Sequence, residues 1–192
     1  ASIIPDQRFN IRDRYEFEPF ITELGQALAD KIDADILSEI SLFTTTIGAT
    51  GGKLTKSDFL AALYTLEFGN APKPFICILR PHQIDDLRIS INAITDVKWE
   101  RPSEYAINLG SLGTLYGVDI IQSPNCATAS HGSGVMMPFG DNSGLAYVMK
   151  REATTDFIFD EKMQTTKIVV TTVYGKARIN TSVSGAVRLL LD

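Results

Sequence analysis

The sequence predicts an α+β chain, on three observations. One long apolar stripe at helical spacing lies near the amino end, a strand–proline–helix unit occupies the middle, and short β-rich runs fill the last third. Of its 192 residues 44% are apolar, enough to bury a real core in one domain or two small lobes.

The stripe consists of Phe17, Ile21, Leu24, Leu28, Ile32, Ile36, Ile40 and Phe43, spaced by three and four, which is one face of an amphipathic helix. Pro19 has no N–H and suits a first turn, so the helix is expected to begin near Glu16 to Glu18 and to span about 17–43. About 25 residues at 1.5 Å each give roughly 38 Å of rise. A helix of that length serves as a beam in a flat, extended building block, whereas a compact enzyme of this size seldom needs one.

After the polar stretch TTTIGATGGK, Thr55 is expected to cap a second helix with Asp58 at its third position. Phe59, Leu60, Leu63 and Leu66 supply its inner face, and Gly69-Asn70 followed by Pro72 ends it. Residues 75–79 read as a buried strand, and Pro81 opens a helix to about Ala93 with Ile84, Leu87, Ile91 and Ile94 on its apolar side. A short helix over 102–109 and a strand over 118–121 follow. Residues 123–143, with five glycines and prolines, read as one long loop, a length that usually signals function. Residues 145–149, 157–159, 168–173 and 186–191 read as short strands.

Composition excludes several functions. Eighteen Lys and Arg stand against 23 Asp and Glu, and the resulting net charge of −5 argues against sequence-independent DNA binding, which needs surplus cations. Any nucleic acid is expected to be a neighbour, not a ligand. Two cysteines, Cys77 and Cys126, are too few for a disulfide framework and point to a reducing interior. No apolar stretch approaches the roughly 20 residues that cross a bilayer, and ASIIPDQRFN has no basic region leading into an apolar one. Neither a secreted nor a membrane-spanning protein is expected.

Fragments that suggest chemistry fail on their details. Residues 48–53, GATGGK, look like a phosphate loop, but Ile47 stands where its first glycine belongs and Leu54 follows the lysine in place of a metal-binding hydroxyl. Gly110, Gly113 and Gly117 precede a strand instead of following one, so they read as turn glycines. His82 and His131 lack the paired spacing of two ligands on one helix face, and Cys126 with His131 is an incomplete set. Ser133 in His-Gly-Ser-Gly lacks the Gly-x-Ser-x-Gly elbow. Asp85-Asp86 and the Asp33/Asp35 pair are read as solvated charge on helix surfaces. No catalytic, cofactor-binding or metal-binding residue is expected.

The order of these elements resembles the major capsid proteins of tailed bacteriophages (Caudovirales), whose fold is named after phage Hong Kong 97. YEFEPFITELGQALADKIDADILSEI is similar to that family's spine helix, including the small residues of LGQALA and the Ile-Asp-x-Asp-Ile-Leu after them. FICILRPHQIDDL is similar to the segment leading into the axial lobe, LGTLYGVDIIQSP to its helix, glycine turn and strand, and TTKIVVTTVYGKARINTSVSGAVRLLL to its final strands. The resemblance spans nearly the whole chain and rests on the ordered set, not on one motif.

It implies a coat subunit with a long spine helix, a peripheral β-sheet lobe (1–48 and 145–182) and an axial lobe (49–144 and 183–192). Such a subunit assembles as pentamers and hexamers into an icosahedral head shell around phage DNA, with scaffolding, portal or decoration proteins as further partners and the DNA as a non-specific neighbour. It is found in the virion and assembles in the host cytoplasm. Modest contacts repeated in closed symmetry stabilise such a shell. Glu23, Asp30 and Lys31 on the polar side of the spine helix are expected to face neighbours or solvent, and residues 132–140 to line the capsomer centre. Family members carry an arm and a long hairpin ahead of the spine helix; here about fifteen residues precede it, and IIPDQRFNIRDR matches only the returning strand of that hairpin. Whether the upstream part was removed, omitted or never present stays open, and no cross-linking residue is carried over. Two alternatives stand beside this reading. One is an encapsulin-like compartment shell that packages protein, and the other a small enzyme with its site in 123–143, His131 as general base and Cys126 as nucleophile.

Overall fold

The computed structural model describes residues 2–5, 14–48, 52–90, 111–126, 133–140, 143–162, 165–180 and 185–190. The chain divides into two compact units, one of residues 1–33 and 147–176, the other of residues 34–146 and 177–192.

The first unit holds a three-stranded sheet in the order β1-β8-β7, from Ser2–Pro5 (β1), Leu145–Asp160 (β7) and Thr165–Arg178 (β8). β1 runs antiparallel to β8, with Ser2 opposite Ile168 and Pro5 opposite Thr165. Most of helix α1 (Arg14–Ser38) also belongs here. It starts earlier and stops earlier than the expected 17–43, so Pro19 lies in the second turn, not the first. At the other end Ser38 and Ser41 donate their hydroxyls to the carbonyls of Asp35 (2.6 Å) and Ser38 (2.8 Å). Such local bonds compete with the α pattern, and Glu39–Leu42 tightens into a 3₁₀ turn. The stripe residues Ile21, Leu24, Leu28 and Ile32 are half-buried, while Glu23, Asp30 and Lys31 are exposed.

The second unit is built on a six-stranded mixed sheet in the order β2-β9-β6-β3-β5-β4. Its strands are Thr46–Ile47 (β2), Phe75–Leu79 (β3), Ser111–Leu115 (β4), Val118–Gln122 (β5), Ser133–Pro138 (β6) and Val187–Leu190 (β9). β3 sits between a parallel partner, β5, and an antiparallel one, β6, and all its side chains but Ile78 are buried. That double burial explains why FICIL is apolar throughout instead of alternating. Strands β4 and β5 form a hairpin whose turn residues Tyr116 and Gly117 both have positive φ, 52° and 78°, the backbone form that matches the twist of a two-residue hairpin.

Helices α2 (Lys56–Phe68) and α3 (Pro81–Ser90) complete this unit. The predicted capping box is present: the Thr55 hydroxyl accepts from the Asp58 N–H (3.3 Å) and the Asp58 carboxylate accepts from the Thr55 N–H (3.1 Å). Phe59, Ala62 and Leu66 face the core, while Leu60 and Leu63 are only half-buried. α3 opens at Pro81 as expected, and its last residue, Ser90, accepts the Lys56 N–H at the start of α2 (3.1 Å). Two buried clusters result. One joins α2, α3 and the sheet through Phe59, Leu66, Phe75, Leu87 and Met136; the other joins Leu37, Ile40 and Phe43 to Ile76, Val135 and Met137.

Three expectations are corrected. Residues 123–143 are not one loop, because Ser133–Pro138 is a wholly buried strand between β3 and β9. Its glycine is there for close approach: a Cβ on Gly134 would lie 2.6 Å from Leu79 Cδ2 and 3.1 Å from the Ile78 carbonyl oxygen. Those strand residues therefore cannot line an open capsomer centre. The runs 145–149 and 157–159 are one continuous strand, β7. Finally, Asp86 is not solvated charge; it lies beside Gln83 and Leu87 on the buried edge of α3, whereas Asp85 is exposed. The expected helix over 102–109, the end of α3 beyond Ser90, and His131 lie outside the described residues.

Candidate functional site

Among the described residues, the side chains that suggested chemistry do not assemble into one site. Cys126 is buried, which denies a substrate the access a nucleophile needs. Cys77 is also buried; desolvation, with a smaller contribution from Cys126, pushes its thiol far above the ordinary range. Ser133 is buried within β6 and accepts a bond from Arg188 Nε at 2.9 Å. His82 Nδ1 lies 3.4 Å from Asp86 Oδ2 one helical turn on. No group of three or more metal-ligating side chains occurs among the described residues. Gly48 has φ 96° and Lys53 is exposed, while 49–51 lie outside the described residues.

Arg188, on β9, and Arg178, the last residue of β8, both bond to the 3₁₀ turn. Arg188 Nη1 donates to the Ser41 carbonyl (3.0 Å), and Arg178 Nη1 donates to that of Leu42 (2.9 Å) with Glu39 3.8 Å from its Nε. These carbonyls end the helical run and have no following turn to accept from, so guanidinium donors satisfy them.

The distribution of apolar surface is the more informative feature. Among the described residues, the only fully buried large apolar side chain of the first unit is Ile168; the rest of the buried core belongs to the second. β7 is exposed from Tyr147 through Asp160, and Phe157, Ile158 and Phe159 keep more than half of their surface open. A polar ladder of Arg151, Thr154, Thr171 and Thr172 ties β7 to β8: Thr172 Oγ1 donates to the Arg151 carbonyl at 2.9 Å, and Arg151 Nη2 donates to Thr171 Oγ1 at 2.9 Å. A hairpin that holds itself together while leaving large apolar side chains open has the character of an interaction surface. The sequence carried the signal for it in Phe157-Ile158-Phe159, three consecutive apolar residues in a stretch otherwise rich in charge.

No family model and no curated relative matches the sequence. Solved structures do match, and over the whole chain. A structure from Mycobacterium phage Che8 is 19% identical with a TM-score of 0.74, covering 98% of this chain and 68% of that one. The chain has the Hong Kong 97-type capsid fold. The capsid structure of cyanophage P-SCSP1u, 16% identical at a TM-score of 0.65, spans 100% of this chain and 70% of its own. The SrpI encapsulin complex from Synechococcus elongatus, 12% identical at a TM-score of 0.73, covers 99% of this chain and 71% of that one. Likeness at such identities establishes the Hong Kong 97-type fold, which the long helix, the hairpin sheet and the mixed sheet compose here.

Proposed function

We propose that this chain is a major capsid (coat) protein that self-assembles into the icosahedral head shell enclosing phage DNA. The observation that carries the reading is the fold match over essentially the full chain to a cyanophage capsid structure and to a mycobacteriophage structure. Exposed large apolar side chains on both units, among them Phe157, Ile158 and Phe159 of β7 and Tyr64 and Phe68 of α2, support it, because a subunit that binds copies of itself keeps such surface open until assembly. The chain acts by association and is assigned no reaction.

In this reading residues 1–48 and 145–182 form the peripheral lobe, with α1 as the spine, and residues 49–144 and 183–192 the axial lobe. Its partners are copies of itself in pentamers and hexamers, with scaffolding, portal or decoration proteins beside them. The packaged DNA is a non-specific neighbour, as the net charge of −5 suits. Assembly takes place in the host cytoplasm and the product resides in the virion. No helix among the described residues is long and apolar enough to cross a membrane.

A second reading, a shell that packages protein, is compatible with the likeness to the SrpI encapsulin complex, whose TM-score of 0.73 is close to the 0.74 of the phage Che8 structure. Light scattering and negative-stain microscopy of the purified protein at physiological salt test both. Shells, or rings of five or six, support a coat subunit; a monodisperse monomer overturns it. Nucleic acid in shells from infected cells supports the viral reading, and protein cargo in shells from uninfected cells the compartment.

A further inference from the structure

Among the described strands, β7 is an outer strand of the three-stranded sheet, and it is exposed along nearly its whole length. Phe157, Ile158 and Phe159 are 55%, 51% and 54% exposed. Successive side chains of a strand point to opposite faces, so apolar surface is open on both sides of the hairpin end. Long, exposed, apolar outer strands are templates for another strand.

Charge identifies which strand. The first half of β7 carries Lys150, Arg151 and Glu152, two positive charges against one negative; the second half carries Asp156 and Asp160, both negative. A strand whose halves carry opposite net charge complements a copy of itself run antiparallel, which is the self-complementary contact of a two-fold axis. We propose that the β7 strands of two copies pair antiparallel about a two-fold axis at Thr155, joining two three-stranded sheets into one. In this register Lys150 of each copy stands opposite Asp160 of the other, and the small Ala153 opposite Phe157. Each pair is made twice. The inference rests on the coat-subunit reading, in which the neighbour is a second copy.

The test uses the full chain and two kinds of variant. At a two-fold axis a residue meets its own counterpart, so Thr155→Cys should yield disulfide-linked dimers under mild oxidation; Cys77 and Cys126 are buried and do not compete. Asp160→Lys sets like charges opposite Lys150 twice and should raise the concentration needed for association about tenfold at low salt, and adding Lys150→Asp should restore it. Sedimentation velocity reads association, and circular dichroism melting reports that each variant is folded. Linked dimers together with charge rescue support the pairing. If the wild type associates but Thr155→Cys forms no linked dimer, or if the double reversal fails to restore what Asp160→Lys lost, the pairing is wrong and the coat reading stands. A wild type that does not associate at all overturns both.

Discussion

β6 and β7 are both apolar-rich strands of one chain, and they meet opposite fates. Every residue of β6 is buried between two neighbouring strands, whereas β7 is exposed from Tyr147 to Asp160. The same contrast holds for the units they belong to. The second unit has two buried clusters of its own, while the first buries Ile168 and leaves Phe157, Ile158 and Phe159 open. A three-stranded sheet needs a covered hydrophobic face to be stable by itself, and this one buries little. The second unit is thus stabilised within the chain, whereas β7 keeps its apolar side chains open to another molecule.

The largest expected effect falls on the buried side of that comparison. Phe59, fully buried at the junction of α2 with the mixed sheet, should cost about 3–5 kcal/mol when changed to Ala, read by chemical denaturation. Arg188→Ala removes the donors to Ser133 and to the Ser41 carbonyl and leaves the buried Ser133 hydroxyl without that partner. A loss of about 1–3 kcal/mol is expected by the same measurement.

Cys77 sharpens the comparison through pH. Its thiol pKa is raised in the folded state above the reference value of 9.0, so the unfolded chain loses the proton first. This contribution to stability is therefore fully present below pH 9.0 and declines as pH rises beyond it, so denaturant midpoints should be lower above pH 9.0 than below it. Replacing Cys77 by Ala should flatten that fall. The smallest stability effect is expected on the exposed side: Phe159→Ser should change the unfolding free energy of the unassembled chain by no more than about 0.5 kcal/mol. The same substitution should weaken self-association in light scattering. A large loss of stability there would erase the distinction between the two regions.

Much of the architecture was legible because its causes are local. Thr55 and Asp58 cap α2 from three residues apart, Pro81 opens α3, and the buried run 75–79 declares itself by being apolar on both faces. β6 was not legible, because Gly134 and Pro138 carry the marks of a loop while serving close packing against Leu79 and the end of a strand. Asp86 escapes a sequence reading for a related reason: a carboxylate on a polar-looking helix gives no local sign that its edge of the helix is buried. Cys77, Cys126 and Ser133 fail as reactive groups on burial, which spacing does not encode.

The sequence by itself determined the long helix, the capped second helix, the strand–proline–helix unit and the β-rich end, since periodicity, caps and proline act over a few residues. Only the tertiary structure decides that β6 enters the sheet between β3 and β9, that 145–160 is one strand, and that its apolar side chains from Tyr147 on stay exposed. Those outcomes depend on which distant segments bury one another, a competition of long-range contacts that leaves no imprint on local spacing.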